Sequence, residues 1–81
     1  MSYRVQYTNE AEDGLKPLSS GQVRSFKNAV DSSIGRDPYG SGSVQVGGDR
    51  DRREATISGV FVRYTISAGV LVVTVTRTVA P

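Results

Sequence analysis

Apolar and polar residues alternate at the start of the chain, from Tyr3 through Val5 to Tyr7. A period of two residues is typical of a β-strand with one buried face. The pattern predicts a first strand over about residues 3–8. The apolar spacing then changes to three and four residues, which is the spacing of a helix that buries one side.

Two helices are predicted between this strand and residue 35. Asn9 offers an N-cap oxygen to the first, and Glu12 follows three residues later. The apolar face of this helix consists of Ala11, Leu15 and Leu18. Ser19 and Gln22 form the S-x-x-Q capping box of the second helix, which is expected to end at Gly35. The apolar positions of the second helix are Val23, Phe26, Val30 and Ile34.

Strands are predicted for the remainder of the chain. Asp37–Gly40 has the residue order of a type I turn, and a loop with a short edge strand at Val44–Val46 follows. Two alternating runs separated by Gly59 predict a hairpin. After a turn, a central strand is predicted over Val70–Val79 because almost every position is β-branched or leucine.

The predicted order is β-α-α followed by a meander of three or four strands. Because both helices precede the meander, they most simply pack on one face of a small, mostly antiparallel sheet and leave the other face open. We therefore expect an α+β fold. The length of 81 residues predicts one domain over residues 1–81.

Composition narrows the possible chemistry. The chain has no cysteine and no histidine, which excludes disulfides, thiolate nucleophiles, Cys/His zinc sites and imidazole acid–base catalysis. We expect no metal and no cofactor. No membrane-length apolar segment and no signal segment are evident, so a soluble, cytoplasmic protein that makes no membrane contact is expected.

The net charge of +2 is modest, but it is unevenly distributed. Residues 1–35 are neutral in sum, so the cationic surplus lies in residues 36–81. Most of the cations are arginine, whose planar guanidinium suits phosphate better than a lysine ammonium does. A site for a polyanion is therefore expected in the second half of the chain.

Strand alternation predicts which of these arginines share a face. If Ala55 and Ile57 face the helices, Arg53 points with them and the alternate positions point to the open face. Guanidiniums beside an aromatic ring suit RNA, since arginine neutralises phosphates and a ring stacks on unpaired bases. The predicted RNA-binding residues are Arg50, Arg52, Phe61, Arg63 and Arg77.

Less specific interpretations apply to the same residues. Residues 49–54 carry three cations and three anions and are also consistent with a solvated strand edge. Arg63 is equally consistent with an ion pair to Glu54, and Tyr64 with a core tyrosine whose hydroxyl is satisfied at the rim. The face of Arg77 depends on whether its strand contains a bulge.

The element order, together with the tracts Tyr3–Ala11, Asp37–Gly40 and Gly59–Ile66, resembles the RelE/ParE superfamily over nearly the whole chain. Members are toxins of bacterial type II toxin–antitoxin systems. The RelE branch implies a ribosome-dependent nuclease that cuts mRNA, and the ParE branch implies a poison of DNA gyrase. The resemblance therefore implies a cognate antitoxin as partner, with ribosome and mRNA, or alternatively gyrase, as target.

The resemblance also assigns individual residues. Phe61 stands where RelE-like nucleases carry an arginine, and Arg63 lies two residues further on the same face. Arg52 matches one cation of a basic pair whose second member corresponds to Glu54. The histidine, arginine or tyrosine that nucleases place after the last strand has no counterpart here.

Two hypotheses follow from the resemblance, and a third interpretation is an unrelated small adaptor protein that has this topology by chance. In the first, the chain is a RelE-like, metal-independent mRNA endoribonuclease that inhibits translation, with Arg63, Arg52 and Glu54 as its catalytic candidates. Glu54 would take the proton of the 2′-hydroxyl, and the arginines would stabilise the charged phosphorane. In the second, it is a ParE-like gyrase inhibitor or a toxin remnant of weak catalytic power that acts by binding its antitoxin.

Overall fold

The computed structural model describes residues 2–81 and has the predicted α+β architecture, with two helices against a five-stranded sheet. The elements in chain order are β1 (Arg4–Tyr7), α1 (Asn9–Asp13), α2 (Ser20–Ser32), β2 (Val44–Val46), β3 (Asp49–Ile57), β4 (Val60–Ser67), a 3-10 turn (Ala68–Val70) and β5 (Val72–Val79). No helix within residues 2–81 combines the length and apolarity needed to cross a membrane.

The strand order across the sheet is β1-β5-β4-β3-β2. The last four strands form the predicted antiparallel meander. The other edge of β5 pairs in parallel with β1. β5 is therefore internal, as its valine-rich sequence predicts. The hairpin between β3 and β4 is also confirmed: Ser58 and Gly59 have φ values of 51° and 80°, as the two central residues of a type I′ turn require.

One face of the sheet carries the core, and within residues 2–81 the other face carries no helix. The buried apolar residues are Ala11, Leu15, Phe26, Val30, Ile34, Ala55, Ile57, Val60, Val62, Tyr64, Ile66, Val73 and Val75. Tyr64 is the buried core tyrosine that its spacing indicates, and its hydroxyl donates to the Pro38 carbonyl at 2.6 Å. Burial raises the pKa of this phenol.

Helix α2 begins as predicted. Ser19 caps it, with the Ser19 hydroxyl accepting from the Gln22 amide while the Gln22 side chain accepts from the Ser19 amide. The predicted end at Gly35 is wrong, because the helix stops at Ser32. There the Ser33 hydroxyl donates to the Ala29 carbonyl at 2.6 Å and competes with the next helical turn.

Helix α1 is shorter than predicted and is capped by a different residue. The cap is Thr8, whose hydroxyl accepts from the Ala11 amide, and Asn9 is already helical. The helix ends at Asp13, so the apolar residues Leu15 and Leu18 lie beyond it.

The first strand covers Arg4–Tyr7 and is therefore shorter than the predicted residues 3–8.

The predicted start of the last strand at Val70 is wrong as well. Leu71 adopts a left-handed conformation with φ of 56°, which ends the 3-10 turn, and pairing begins at Val72. The type I turn at Asp37–Gly40 is confirmed by the Gly40 amide, which donates to the Asp37 carbonyl at 3.1 Å.

Candidate functional site

The open face of the sheet is organised in cross-strand rows. The central row is polar and runs Gln6, Thr74, Thr65 and Arg52 across β1, β5, β4 and β3. The next row carries the charge and runs Arg77, Arg63, Glu54 and Val44. A third row, Val79, Phe61 and Thr56, lies beside it. Three predicted cations, Arg52, Arg63 and Arg77, thus share the uncovered face.

A β-bulge places Arg77 on this face. Arg63 pairs with Arg77, whereas the next residue, Tyr64, pairs with Val75, so Thr76 is the extra residue on β5. The alternation along β5 changes at this point. Val75 faces the core and Arg77 is exposed on the opposite side. The question that periodicity left open for Arg77 is therefore settled by the bulge.

The three arginines line one cleft of about 280 Å³. Its complete lining is Glu10, Arg52, Arg63, Thr65, Thr76 and Arg77. Guanidinium and hydroxyl groups are donors that suit phosphate oxygens. The cleft therefore combines guanidinium and hydroxyl donors with one carboxylate, that of Glu10.

Thr8 connects the bulge to the start of α1. Its hydroxyl donates to the carbonyl of the bulged Thr76 at 3.2 Å and accepts from the Ala11 amide at 3.2 Å. At the far end of β5 the Thr78 hydroxyl donates to the Ala11 carbonyl at 2.6 Å. These bonds hold α1 against β5 and place Glu10 at the cleft, a position that sequence reasoning missed because it depends on contacts between residues far apart in the chain.

Arg63 is paired with Glu54 on the neighbouring strand, as one interpretation of the sequence proposed. Its Nε donates to Glu54 Oε2 at 2.9 Å, and its Nη2 donates to the same oxygen. The side chains are 36% and 26% exposed, respectively. Glu54 thus lies beside the cleft, and its carboxylate is engaged with the central arginine.

Arg50, the fourth arginine predicted to bind RNA, does not line this cleft. Its guanidinium lies 5.4 Å from the centroid of the Tyr39 ring, which Arg53 also approaches at 6.0 Å. The pairing of β2 with β3 is irregular here, since Gln45 pairs with Arg53 and the next residue, Val46, pairs with Asp49. Regular alternation therefore does not extend through residues 50–52.

Tyr39 is held in this position by the same strand. Its hydroxyl donates to Asp51 Oδ1 at 2.7 Å. This hydrogen bond raises the pKa of Tyr39. Arg53 donates to the hydroxyl and the carbonyl of Ser43, so it ties the loop to β3 and points with the core residues as predicted.

Phe61 lies on the open face but outside the arginine cleft. It lines a separate depression of about 260 Å³ together with Gly42, Val44, Glu54, Ala55 and Thr56. Val44 is 62% exposed and Val79, the partner of Phe61 on β5, is 47% exposed. The structure therefore places the predicted ring outside the arginine cleft and near two exposed valines; we call Phe61, Val44 and Val79 together the apolar strip.

A larger groove of about 500 Å³ lies at the start of α2. Leu18, Phe26, Val60 and Pro81 form its apolar walls. Within residues 2–81, no arginine, lysine or acidic side chain lines it, so we assign the candidate site to the arginine cleft.

Comparison with known proteins identifies the fold. The RelBE2 toxin–antitoxin complex from Mycobacterium tuberculosis contains a chain that superposes with a TM-score of 0.83 at 16% identity, covering 100% of this chain and 93% of that one. The archaeal RelE–RelB complex from Pyrococcus horikoshii gives a TM-score of 0.72 at 20% identity, covering 99% and 96%. Escherichia coli toxin RelE, in an arginine double mutant bound to an antitoxin peptide, gives 0.73 at 18% identity, covering 100% and 85%.

The chain therefore has the RelE fold, as its resemblance to the RelE/ParE superfamily predicts. No protein-family model matches the sequence, and no curated protein matches it significantly.

Proposed function

We propose that this chain is the toxin of a type II toxin–antitoxin system and inhibits translation as a metal-independent endoribonuclease acting on ribosome-bound mRNA. The observation that carries the proposal is the convergence of Arg52, Arg63 and Arg77 in one cleft on the uncovered sheet face. The fold agrees with it, since the similar structures are RelE toxins, several of them bound to RelB antitoxins.

The residues of the cleft suit phosphodiester chemistry. Arg52 and Arg77 are exposed and bind the phosphates of the RNA backbone, and Arg63 stabilises the charge that develops on phosphorus. The 2′-oxygen attacks the phosphorus as a carboxylate takes its proton. The 5′-oxygen leaves and takes a proton from water in the open cleft. Glu54, which lies beside the cleft and contacts Arg63, is our candidate for the base, and Glu10 is the carboxylate that lines the cleft itself.

The ribosome would supply the remaining contribution to the cleavage rate by positioning the mRNA. Positioning of the 2′-oxygen in line with the leaving oxygen lowers the barrier without any further protein group. The sheet face is accessible for this purpose, since Arg52 and Arg77 are exposed on it. The same accessibility requires an antitoxin to hold the toxin inactive. We propose a segment that covers the cleft with acidic side chains, and we place the protein in the cytoplasm with its target.

A second candidate function rests on the apolar strip. Val44 and Val79 are large exposed apolar residues near Phe61. The family resemblance implies that Phe61 stands where RelE-like nucleases carry an arginine. Exposed apolar surface on one face favours a protein partner. We therefore retain a ParE-like gyrase inhibitor, or a toxin remnant that binds its antitoxin, as the alternative.

Controlled expression of the protein in bacterial cells distinguishes the two candidate functions. The proposal predicts growth arrest, with cuts in translated mRNA that primer extension detects. Arg52→Ala removes a phosphate contact and should relieve both the growth arrest and the mRNA cuts. Arg24→Ala, at an exposed position of α2, removes the same charge and should relieve neither. Growth arrest with intact transcripts would contradict the proposal. A positive gyrase-cleavage assay would then favour the alternative, and the absence of arrest would favour a remnant.

A further inference from the structure

Arg63 occupies the middle of the charged row. On one side it pairs in register with Glu54, and on the other it pairs in register with Arg77. Two cations directly opposite each other on neighbouring strands repel, and a carboxylate on the far side offsets that repulsion. Glu54 therefore stabilises the sheet at the place where the cleft concentrates positive charge.

The same contact occupies the part of Arg63 that a phosphate would use. Nε and Nη2 form one edge of the guanidinium, and both donate to Glu54 Oε2. This edge is the one that binds carboxylate or phosphate through two parallel hydrogen bonds. Because the two side chains are only partly exposed, water screens this pair less than it screens a fully exposed pair.

The other two arginines of the cleft differ. Within residues 2–81, neither Arg52 nor Arg77 forms an ion pair with a carboxylate, and both are exposed. An arriving RNA meets these two guanidiniums without having to displace a protein group. Arg63 becomes available only when its contact with Glu54 is broken.

We propose that Glu54 competes with RNA phosphate for Arg63 and thereby sets the affinity of the cleft. The inference rests on the proposed function, because it assumes that RNA enters this cleft. Glu54 acts here as a positioning residue that holds the guanidinium edge, so the expected effect on binding is opposite in sign to the loss expected when an arginine of the cleft is removed.

The test measures binding of a short, single-stranded, 2′-O-methylated RNA by fluorescence anisotropy, since this RNA lacks the attacking hydroxyl. Glu54→Gln should tighten binding by about 1.4-fold to 5-fold, the range that corresponds to a partly exposed ion pair. Glu12→Gln is the matched control. It removes the same charge from a glutamate that is also paired, with Lys27 at 2.9 Å, away from the cleft. Its affinity should equal that of the unmodified protein.

A double-mutant cycle isolates the contact itself. In an Arg63→Ala background, Glu54→Gln should have little effect, because no guanidinium remains to be released. If the gain persists without Arg63, it arises from the general field of the carboxylate and the inference is overturned. A Glu54→Gln affinity equal to that of Glu12→Gln, with binding still lost in Arg52→Ala, would overturn the inference while leaving the proposed function intact.

RNA binding that is absent from the unmodified protein and from Glu54→Gln alike would overturn both, because freeing Arg63 should itself create affinity. Should Glu54→Gln fail to fold, the Arg63 Nε–H signal of the unmodified protein gives the same information by nuclear magnetic resonance. That signal should shift as RNA replaces the carboxylate. A signal that stays constant while the Arg77 signal shifts would contradict the inference.

Discussion

Two tyrosine hydroxyls of the folded chain have different surroundings. The Tyr64 hydroxyl donates to the Pro38 carbonyl and closes the loop after α2 over the core. The Tyr7 hydroxyl is also buried but has no hydrogen-bond partner within residues 2–81. The Tyr7 ring lies 4.6 Å from the Lys27 ammonium, a contact that involves the ring rather than the hydroxyl.

Replacing each tyrosine by phenylalanine should therefore change stability in opposite directions. Tyr64→Phe leaves the Pro38 carbonyl without its donor and should lower the free energy of unfolding by about 1 to 2 kcal/mol. Tyr7→Phe removes a buried hydroxyl that bonds to nothing and keeps the ring, so it should be neutral or stabilising by up to about 1 kcal/mol. Urea denaturation measures both, and a larger loss for Tyr7→Phe than for Tyr64→Phe would contradict the hydrogen-bond assignments.

Two glycines, one next to each helix or within it, indicate how closely the helix backbone packs against its neighbours. A Cβ atom at Gly14, just after α1, would lie 2.0 Å from the carbonyl oxygen of Thr78 on β5. A Cβ atom at Gly21, in the first turn of α2, would meet nothing within 4 Å. Helix α1 thus reaches the end of β5 through its own backbone, whereas α2 has open space at this position.

Alanine at these positions should act with opposite signs. Gly14→Ala forces α1 away from β5 and should destabilise the protein by about 1 to 3 kcal/mol. Gly21→Ala restricts the unfolded chain at a helical position and should stabilise by about 0.5 to 1 kcal/mol. Thermal denaturation of the two variants measures both stability changes. Equal effects would mean that α1 does not pack on β5 as described.

The elements that local sequence determines were predictable, and those set by distant contacts were not. The Ser19 capping box needs only residues within one helical turn, so its sequence suffices. The sequence predicts Asn9 as the cap of α1, but the cap is Thr8, whose hydroxyl also donates to the carbonyl of the bulged Thr76 on β5. No local pattern contains that partner.

At the scale of the whole molecule, the same limit applies to the cleft. Strand alternation correctly placed Arg52, Arg63 and Phe61 on the open face. It does not bring Arg50 into the cleft, because the Arg50 guanidinium lies over the Tyr39 ring. It also leaves the face of Arg77 open, because that face depends on the bulge at Thr76. Glu10 enters the cleft only because α1 packs beside β5. A site assembled by irregularities cannot be derived from regular periodicity.

The fold as a whole should lose stability in alkaline solution. Burial raises the pKa of Tyr7 and of Tyr64 above the ordinary tyrosine value of 10.0. Above about pH 10 the unfolded chain loses phenolic protons that the folded chain retains, so the free energy of unfolding falls as pH rises. Urea denaturation between about pH 9 and pH 11 should reveal this fall. The double variant Tyr7→Phe/Tyr64→Phe should show a shallower fall, and an unchanged slope would contradict the role of these phenols.

The central claim is that the cleft of Arg52, Arg63 and Arg77 acts on ribosome-bound mRNA. The most direct measurement is cleavage of a defined mRNA on programmed ribosomes by the purified protein, with free mRNA in parallel. We predict cuts on the ribosome that disappear in Arg52→Ala/Arg77→Ala and persist in Arg24→Ala/Arg36→Ala, which removes the same charge from exposed positions outside the cleft. Intact mRNA with the unmodified protein, or equal cutting by both double variants, would contradict the account.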